Sequence, residues 1–266
     1  MRTNYHTHTA RCHHASGADA DYVEAAIQAG YSVLGFSDHC PWPFKDWFTV
    51  PVRMDWDELP GYIQSIRALG EAHKNRLTVL CGLECEYFPQ HLSTLKEMTS
   101  QVDYLILGQH YDTTADVQAF VGDLPDLASS RKYLDLCVEG LSTGLFSCIA
   151  HPDIFLLPFN EFSPELASMS RYLCRAARSM GIPLELNLYG VRKQVRQPWE
   201  GYPSGLGYPC PAFWRIAAQE GCTAIIGVDA HTPDALRDPE LPLMAAMYLD
   251  ALGIERVEQL RRGNKL

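Results

Sequence analysis

The stretch Val33-Leu34-Gly35-Phe36-Ser37-Asp38-His39 carries the pattern on which the fold prediction rests. It opens with a short apolar run, and two potential metal ligands, Asp38 and His39, follow that run almost at once. Short apolar runs of this kind are typical of parallel strands that are buried on both faces. The stretch therefore predicts a buried strand whose carboxyl end carries polar chemistry.

The same arrangement recurs along the chain. Apolar runs also end shortly before other ligand-type residues, namely Glu84, His110, His151 and Asp229. Together with the amino-terminal His6-Thr-His8, these runs predict seven strands, near 3–8, 32–37, 77–84, 103–108, 146–150, 183–187 and 223–228. Segments with apolar residues at helical spacing lie between the strands, such as Asp19–Ala29 and the segment that starts at Ser163-Pro164-Glu165.

Ligand-type residues at the carboxyl ends of successive parallel strands are typical of the active site of a (β/α) barrel. We therefore expect an α/β barrel with seven strands, one fewer than the usual eight, as a single domain over residues 1–266. Two segments, 40–60 and 190–211, are rich in Pro, Trp, Tyr and Gly and show no clear period. We interpret both as ordered loops over the barrel mouth.

Composition narrows the class of function. The chain has 22 basic and 32 acidic residues, a net charge of −10, which argues against a nucleic-acid-binding protein. The nine cysteines are scattered and odd in number, which favours a reducing compartment. We also expect no signal segment and no membrane span, hence a cytoplasmic protein. Bound cations would still allow an anionic small molecule as the substrate.

Several pairs of candidate ligands leave a choice open. His6 and His8 alternate on a strand and so point to the same face, where they can bind one cation. At Cys12-His13-His14, either histidine could serve, and at Glu84 and Glu86 either carboxylate could face inward, with Glu84 preferred because it follows the apolar run directly. His110 and His151 could instead be ordinary buried histidines. His73 and His91 lie away from strand ends, and we assign them to the surface.

The candidate set contains seven histidines and at least two carboxylates, enough for two or three cations. Imidazole and carboxylate ligands without thiolate suit Zn, Mn or Fe, and they fit neither a calcium site nor a cysteine-rich structural zinc site. The sequence therefore predicts an enzyme with two to three divalent transition metals.

The motifs together resemble those of the PHP (polymerase and histidinol phosphatase) superfamily, and within it the PHP-type histidinol-phosphate phosphatases. The resemblance runs from residue 5 to about residue 235, in family order, through His6-Thr-His8-Thr9, Cys12-His13-His14-Ala15, Phe36-Ser37-Asp38-His39, Gly82-Leu83-Glu84, His110-Tyr111, Ala150-His151-Pro152 and Asp229-Ala230-His231.

The resemblance implies a distorted (β/α)7 barrel with three metal sites. The first site would use His6, His8, Glu84 and Asp229, and the second would share Glu84 and add His110 and His151. The third would use His14, His39 and His231. The six-residue step that the family has after the position of His8 selects His14 over His13.

The resemblance also implies a substrate side. Glu185-Leu186-Asn187 and Gly190-Val191-Arg192-Lys193 are similar to the E-x-N and G-x-R-K motifs of the family. We therefore expect Glu185, Asn187, Arg192 and Lys193 to bind substrate, with Arg192 as a bidentate phosphate clamp. The family's Tyr-Pro element matches either Tyr202-Pro203 or Tyr208-Pro209. Aromatic residues of the mouth segments, Trp42, Phe44, Trp47 and Tyr189, could contact the leaving group or only cover the barrel.

The reaction that the resemblance implies is hydrolysis of a phosphate monoester, with L-histidinol phosphate as the expected substrate in histidine biosynthesis. A hydroxide that bridges the first two metals would attack phosphorus in line. Asp38 would pass a proton to the leaving group, with His231 and Asp153 as alternatives, or it would instead orient a ligand. A PHP phosphoesterase acting on nucleotides or phosphotyrosine, an amidohydrolase-type deaminase and a non-catalytic metal-binding module remain the alternative functions.

Overall fold

The computed structural model describes residues 2–43, 52–111, 120–123, 126–196 and 206–261. Seven strands form one sheet in chain order, and every neighbouring pair is parallel. They are β1 (Arg2–Asn4), β2 (Tyr31–His39), β3 (Thr78–Cys85), β4 (Tyr104–Leu107), β5 (Cys148–Ile149), β6 (Leu184–Asn187) and β7 (Ala224–Gly227). The sheet order equals the chain order, as expected for a barrel wound in one direction.

The sheet closes on itself through the segments that follow β1 and β7. Thr7 forms a parallel bridge with Ala230. The amide of His8 donates to the Ala230 carbonyl at 2.9 Å, and the amide of Ala230 donates to the His6 carbonyl at 3.2 Å. The predicted seven-stranded α/β barrel is thus confirmed, with residues of the first and last ligand motifs at the seam.

Helices surround the barrel. They are α1 (Asp19–Gln28), α2 (Leu59–His73), α3 (Leu92–Gln101), α4 (Leu127–Ser142), α5 (Pro164–Met180), α6 (Leu188–Arg196), α7 (Pro211–Gln219), α8 (Pro233–Arg237) and α9 (Glu240–Leu252). Helix α5 starts as expected, because the Ser163 hydroxyl accepts from the Leu166 amide at 3.3 Å. The helices in the described ranges include none whose length and apolar character would suffice to cross a membrane.

The barrel interior is divided into a packed floor and a polar upper end. Tyr5, Val33, Tyr104, Ile106 and Ile225 belong to one buried apolar cluster. The Tyr104 hydroxyl donates to the carbonyl of Tyr5 at 2.7 Å and lies 3.0 Å from that of Phe36, which ties the ring to β2 and to the end of β1. The interior below the ligand residues is therefore filled, and the site opens only toward the carboxyl ends of the strands.

Two expectations about local structure were wrong. Strand β1 ends at Asn4 instead of reaching residue 8, because the Asn4 side chain donates to the His6 carbonyl and the Thr7 hydroxyl at 3.0 and 2.7 Å. The 190–211 segment contains most of helix α6 instead of being only a loop. Asn187 caps this helix by accepting from the Gly190 amide at 3.0 Å. The sequence analysis did not predict this contact.

Candidate metal centre

Nine ligand-type side chains converge at the open end of the barrel. We call this set the ligand cluster: His6, His8, His14, His39, Glu84, His110, His151, Asp229 and His231. The Nε2 atoms of His6 and His8 face each other at 3.1 Å. Asp229 Oδ1 lies 3.1 Å from His8 Nε2 and 3.5 Å from His6 Nε2. These three residues form one group that could hold a cation.

Glu84 joins this group to the others. Its Oε2 atom lies 3.4 Å from His6 Nε2 and 3.0 Å from His39 Nδ1. Its Oε1 atom lies 2.8 Å from His151 Nε2 and 3.6 Å from His110 Nε2. A Cβ atom at position 108 would collide with the Glu84 carboxylate, so Gly108 leaves the space that this side chain occupies. The single carboxylate therefore has ligand groups on both of its oxygens.

A third group lies nearer to the surface. The donor atoms of His14, His39 and His231 lie within 4.8 Å of one another. His14 and His231 approach through their Nε2 atoms at 3.0 Å, and this contact distinguishes His14 from His13, since both histidines are exposed to solvent. The Cys12 thiol lies within the same distance of the His8 and His231 donor atoms, which the sequence analysis did not anticipate.

Two observations indicate that the ligand cluster fits metal ions. Among the described residues, Glu84 Oε2 and Asp229 Oδ1 are buried and accept no hydrogen bond of good geometry, although imidazole nitrogens lie 3.0 and 3.1 Å from them and buried carboxylate oxygens normally have a partner. The pairs His6–His8 and His14–His231 each bring two imidazole nitrogens together at hydrogen-bond distance. Nitrogen and carboxylate donors at this density are typical of Zn, Mn or Fe ligation.

The electrostatics differ among members of the cluster. Despite burial, nearby carboxylates raise the pKa of His6 and of His8 well above its usual value, whereas Glu84 and His39 are shifted toward the forms that bind cations. Burial would raise the pKa of Glu84, but the charges of His6, His110 and His39 hold it well below its usual value. Burial lowers the pKa of His39 to about 3, with a further contribution from the charge of His8. Glu84 is therefore ionised and His39 is neutral at pH 7, and these are the forms that bind cations.

Glu185 and Asn187 support the cluster from below. Glu185 Oε1 lies 2.8 Å from His6 Nδ1, and Glu185 Oε2 accepts from the His151 amide at 3.1 Å. Asn187 donates to Glu185 Oε2 at 2.9 Å and to Asp229 Oδ2 at 3.0 Å. In this structure both residues contact the ligand cluster, and the expectation that they bind substrate stays a prediction. Both side chains point into the barrel from β6, where they are buried beneath the ligands.

The Asp38 carboxylate also contacts residues of the ligand cluster. It accepts from the Thr9 hydroxyl, from the Thr9 amide at 3.1 Å and from the His39 amide at 2.8 Å, and it lies 3.4 Å from His8 Nδ1. Burial would raise the pKa of Asp38, but the hydrogen bond with His8 lowers it overall. A fully buried, ionised carboxylate has no proton to give, so these contacts favour the alternative in which Asp38 orients His8.

Asp153 does not line the site either. It accepts from the Cys210 amide at 2.6 Å and from Trp214 Nε1 at 3.2 Å. Burial raises the pKa of Asp153 to about 7. These bonds tie the residues just before α7, including Tyr208, to the turn that follows His151. His231, the other alternative proton donor, is a member of the ligand cluster.

Above the cluster lies a cavity of about 200 Å³, which we call the metal cavity. Its walls are eight members of the ligand cluster together with Val52, Arg53, Tyr111, Phe120, Ile154, Tyr189 and Tyr208. The ring centroid of Tyr208 lies 6.0 Å from that of His151, and the ring centroid of Tyr189 lies 5.1 Å from that of His231. Of the two Tyr-Pro elements, Tyr208-Pro209 is thus at the site, and Tyr202 lies outside the described residues.

The structure does not place Arg192 and Lys193 in the metal cavity. Both line a neighbouring cleft, which shares Tyr189 and His231 with that cavity. They follow Tyr189 by three and four residues on α6, and one helical turn carries the chain about 5 Å along the axis. The phosphate clamp expected at Arg192 stays a prediction, and its side chain lines a cleft bordered by Tyr189 and His231, which are also walls of the metal cavity.

Arg53 is a charged residue at the site that the sequence analysis did not name, and it pairs with Glu86, which the sequence analysis left open as a possible inward carboxylate. Both are buried, and they form a bidentate ion pair with distances of 2.7 and 2.9 Å. Glu86 Oε1 also lies 3.5 Å from His110 Nδ1. The spacing of Glu84 and Glu86 was a usable signal, since two inward carboxylates on one strand need a cationic partner.

Trp42, His73 and His91 are not among the residues that line the metal cavity. Trp42 is buried and donates through Nε1 to Glu86 Oε2 at 2.9 Å, so it supports the ion pair instead of contacting a ligand. Phe44 and Trp47 lie outside the described residues. His91 packs near Trp42, and His73 lies 3.9 Å from Glu24, both away from the ligand cluster.

Comparison with known proteins agrees with the geometry. The sequence model of the PHP domain family matches residues 4–188. A protein of Deinococcus radiodurans named "Probable histidinol-phosphatase" is 33% identical over 242 residues, which are 86% of this chain and 85% of that protein. A protein of Schizosaccharomyces pombe with the same name is 22% identical over 99% of this chain and 90% of its own length.

Among solved structures, this fold is similar to that of a histidinol phosphate phosphatase from Lactococcus lactis. The TM-score is 0.71 at 18% sequence identity, and the match covers 98% of each chain. That crystal structure contains zinc, L-histidinol and phosphate.

Proposed function

The chain belongs to the PHP domain family, and from this premise we propose that it is a metal-dependent phosphatase that hydrolyses L-histidinol phosphate to L-histidinol and phosphate. The observation that carries the proposal is the convergence of nine ligand-type side chains beneath a cavity with aromatic walls. The name of the relative that is 33% identical, and the L-histidinol and phosphate bound by the Lactococcus lactis enzyme, support this choice of substrate.

The proposed ligands follow the three groups of the cluster. The first cation would be held by His6, His8, Glu84 and Asp229, and the second by Glu84, His110 and His151. The third would be held by His14, His39 and His231. Zn, Mn or Fe fits these donors, and such cations supply an activated water and neutralise charge on the phosphoryl oxygens.

The chain itself orients the imidazoles. Three ligand histidines each have a separate buried carboxylate near Nδ1: Glu185 for His6, Asp38 for His8 and Glu86 for His110, at 2.8, 3.4 and 3.5 Å. A carboxylate at Nδ1 favours the tautomer with the proton on that atom, and so leaves the Nε2 lone pair for ligation. The three carboxylates therefore prepare Nε2 of each ring for a cation.

We expect the aromatic walls of the metal cavity to contact the imidazole of the leaving group, L-histidinol. The aromatic side chains that line the metal cavity are Tyr111, Phe120, Tyr189 and Tyr208. Aromatic rings stack favourably on a planar ring such as the imidazole of histidinol phosphate. The same walls exclude bulk water from the phosphoryl group, which strengthens every charge interaction at the site.

A substrate panel tests the proposal. Purified protein, reconstituted in turn with Zn, Mn and Fe, would be assayed for kcat/KM on L-histidinol phosphate, a nucleoside monophosphate, a phosphotyrosine peptide and p-nitrophenyl phosphate. We expect L-histidinol phosphate to exceed the others by more than tenfold. A nucleotide or phosphotyrosine ester that exceeds it by that factor would leave a metal-dependent phosphoesterase but reject this substrate.

A further inference from the structure

We propose that Arg53, held in place by Glu86, binds the phosphoryl group of the substrate. The inference rests on the proposed phosphatase function and names a residue for it that the sequence motifs did not indicate. Among the described residues that line the metal cavity, Arg53 is the one arginine or lysine. A permanent positive charge beside a metal centre is well suited to a phosphate dianion.

The guanidinium of Arg53 is fixed by several contacts. Its Nη1 atom donates to Glu86 Oε2 at 2.9 Å and to the Cys40 carbonyl at 3.0 Å, and its Nη2 atom donates to Glu86 Oε1 at 2.7 Å. The side chain is 3% exposed, and its guanidinium carbon lies 5.9 Å from the ring centroid of Tyr111. A charge that is already ordered needs little reorganisation when an anion binds, which is the requirement for electrostatic stabilisation of a reacting group.

The two residues of the ion pair differ in their position relative to the metal cavity. Arg53 lines the metal cavity, whereas Glu86 lies behind it and is absent from the cavity wall. Glu86 Oε1 accepts from Arg53 Nη2 and lies 3.5 Å from His110 Nδ1. Arg53 is therefore the member of the pair at the cavity wall, and Glu86 lies between it and His110, a member of the ligand group of Glu84, His110 and His151. A phosphoryl group bound at that ligand group would have Arg53 beside it.

A purely structural role for Arg53 makes a different prediction. If Arg53 only neutralised Glu86, removing both charges would restore a well-packed site and would leave phosphate binding unchanged. The double variant Arg53→Gln/Glu86→Gln therefore separates the two roles, whereas Arg53→Gln alone would also expose the site to an uncompensated Glu86. Glu86→Gln alone reports on the contribution of Glu86 to His110.

The experiment uses metal-loaded full-length protein with verified metal content. The dissociation constant of inorganic phosphate would be measured by calorimetry, together with KM and kcat for L-histidinol phosphate and p-nitrophenyl phosphate. We expect the double variant to bind phosphate about 10- to 100-fold more weakly and to show a higher KM for both esters. Glu86→Gln should bind phosphate at least as tightly as wild type. Arg256→Gln is the control, at an arginine that pairs with Asp250 away from the metal cavity, and it should leave phosphate binding unchanged.

The outcomes separate this inference from the proposed function. If only the double variant binds phosphate more weakly, and the wild-type enzyme prefers p-nitrophenyl phosphate over L-histidinol phosphate, the phosphate-binding role of Arg53 is supported. L-Histidinol phosphate is then rejected as the substrate. A double variant that binds phosphate like wild type, in an enzyme that prefers L-histidinol phosphate, would overturn the role of Arg53 and leave the function intact. Equal weakening in Glu86→Gln would also overturn it, because the effect would then come from His110.

Discussion

His6 lies between a carboxylate and a second imidazole: its Nδ1 is 2.8 Å from Glu185 Oε1, and its Nε2 is 3.1 Å from His8 Nε2. The side chain of Glu185 is 2% exposed, and a Cβ atom at Gly227 would collide with its carboxylate. The neighbouring strand therefore leaves space for Glu185 beneath the ligand cluster. This relationship makes Glu185 a residue that determines how a ligand binds metal, and several predictions depend on contacts of this kind.

Glu185→Gln should weaken metal binding about 10- to 100-fold, because the carboxylate that orients His6 is lost while the side-chain volume is kept. Competition with a chromogenic chelator measures this change directly. The exposed residue Glu71 provides the control, and Glu71→Gln should retain the metal affinity of wild type. A variant of Glu185 with normal metal affinity and only a raised KM would instead support the original expectation of substrate contact.

Glu84→Ala should have the largest effect on metal content, because the two oxygens of Glu84 face separate ligand groups. We expect the loss of at least one bound equivalent and a decrease in kcat/KM of about 10³-fold or more. Elemental analysis after expression in metal-supplemented medium, combined with the substrate assay, gives both values. Retention of the full metal content would show that Glu84 is not a shared ligand.

Asp38→Asn should reduce kcat/KM by the same factor on esters with good and poor leaving groups. Asp38 contacts His8, Thr9 and the His39 amide, so its loss disturbs ligation and not the departure of the alcohol. The measurement compares L-histidinol phosphate, which has an alkoxide leaving group, with p-nitrophenyl phosphate. If only L-histidinol phosphate were affected, Asp38 would be the proton donor after all.

Tyr208→Ala should raise KM for L-histidinol phosphate about 3- to 10-fold, because an aromatic wall of the metal cavity is removed. The KM for glycerol phosphate, which has no ring to stack, should change much less. Tyr208→Phe retains the ring and serves as the conservative control, with a KM near that of wild type. An equal increase for both substrates would indicate a general loss of cavity shape and no contact with the imidazole.

The barrel and the ligand cluster could be predicted from the sequence for a simple geometric reason. Parallel strands of one sheet end at the same edge, so ligand-type residues that follow successive apolar runs must converge there. The structure brings together all nine residues that the sequence singled out as ligands. His14 and His231 are far apart in the sequence, yet their Nε2 atoms lie 3.0 Å apart. The strand order is therefore enough to predict that such distant residues meet.

The roles of the residues around the cluster could not be predicted in this way. The motif that contains Glu185 and Asn187 suggested substrate contact, but the inward orientation of β6 buries both beneath the ligands. The motif that contains Arg192 continues along α6, and the residue lines a neighbouring cleft that shares Tyr189 and His231 with the metal cavity. Whether a polar side chain lies below, within or beside a site depends on orientation, and composition does not contain that information.

The sequence by itself thus determined which residues reach the carboxyl end of the barrel, because strand order and strand direction follow from local patterns of apolar residues. Only the tertiary structure decided which carboxylate stands behind which histidine, and which arginine faces the cavity. Those contacts join His6 to Glu185, 179 residues apart, and Arg53 to Glu86, 33 residues apart, and no local pattern links the partners. They form because buried charges require a partner of opposite charge, and only the packed barrel determines which one lies within reach.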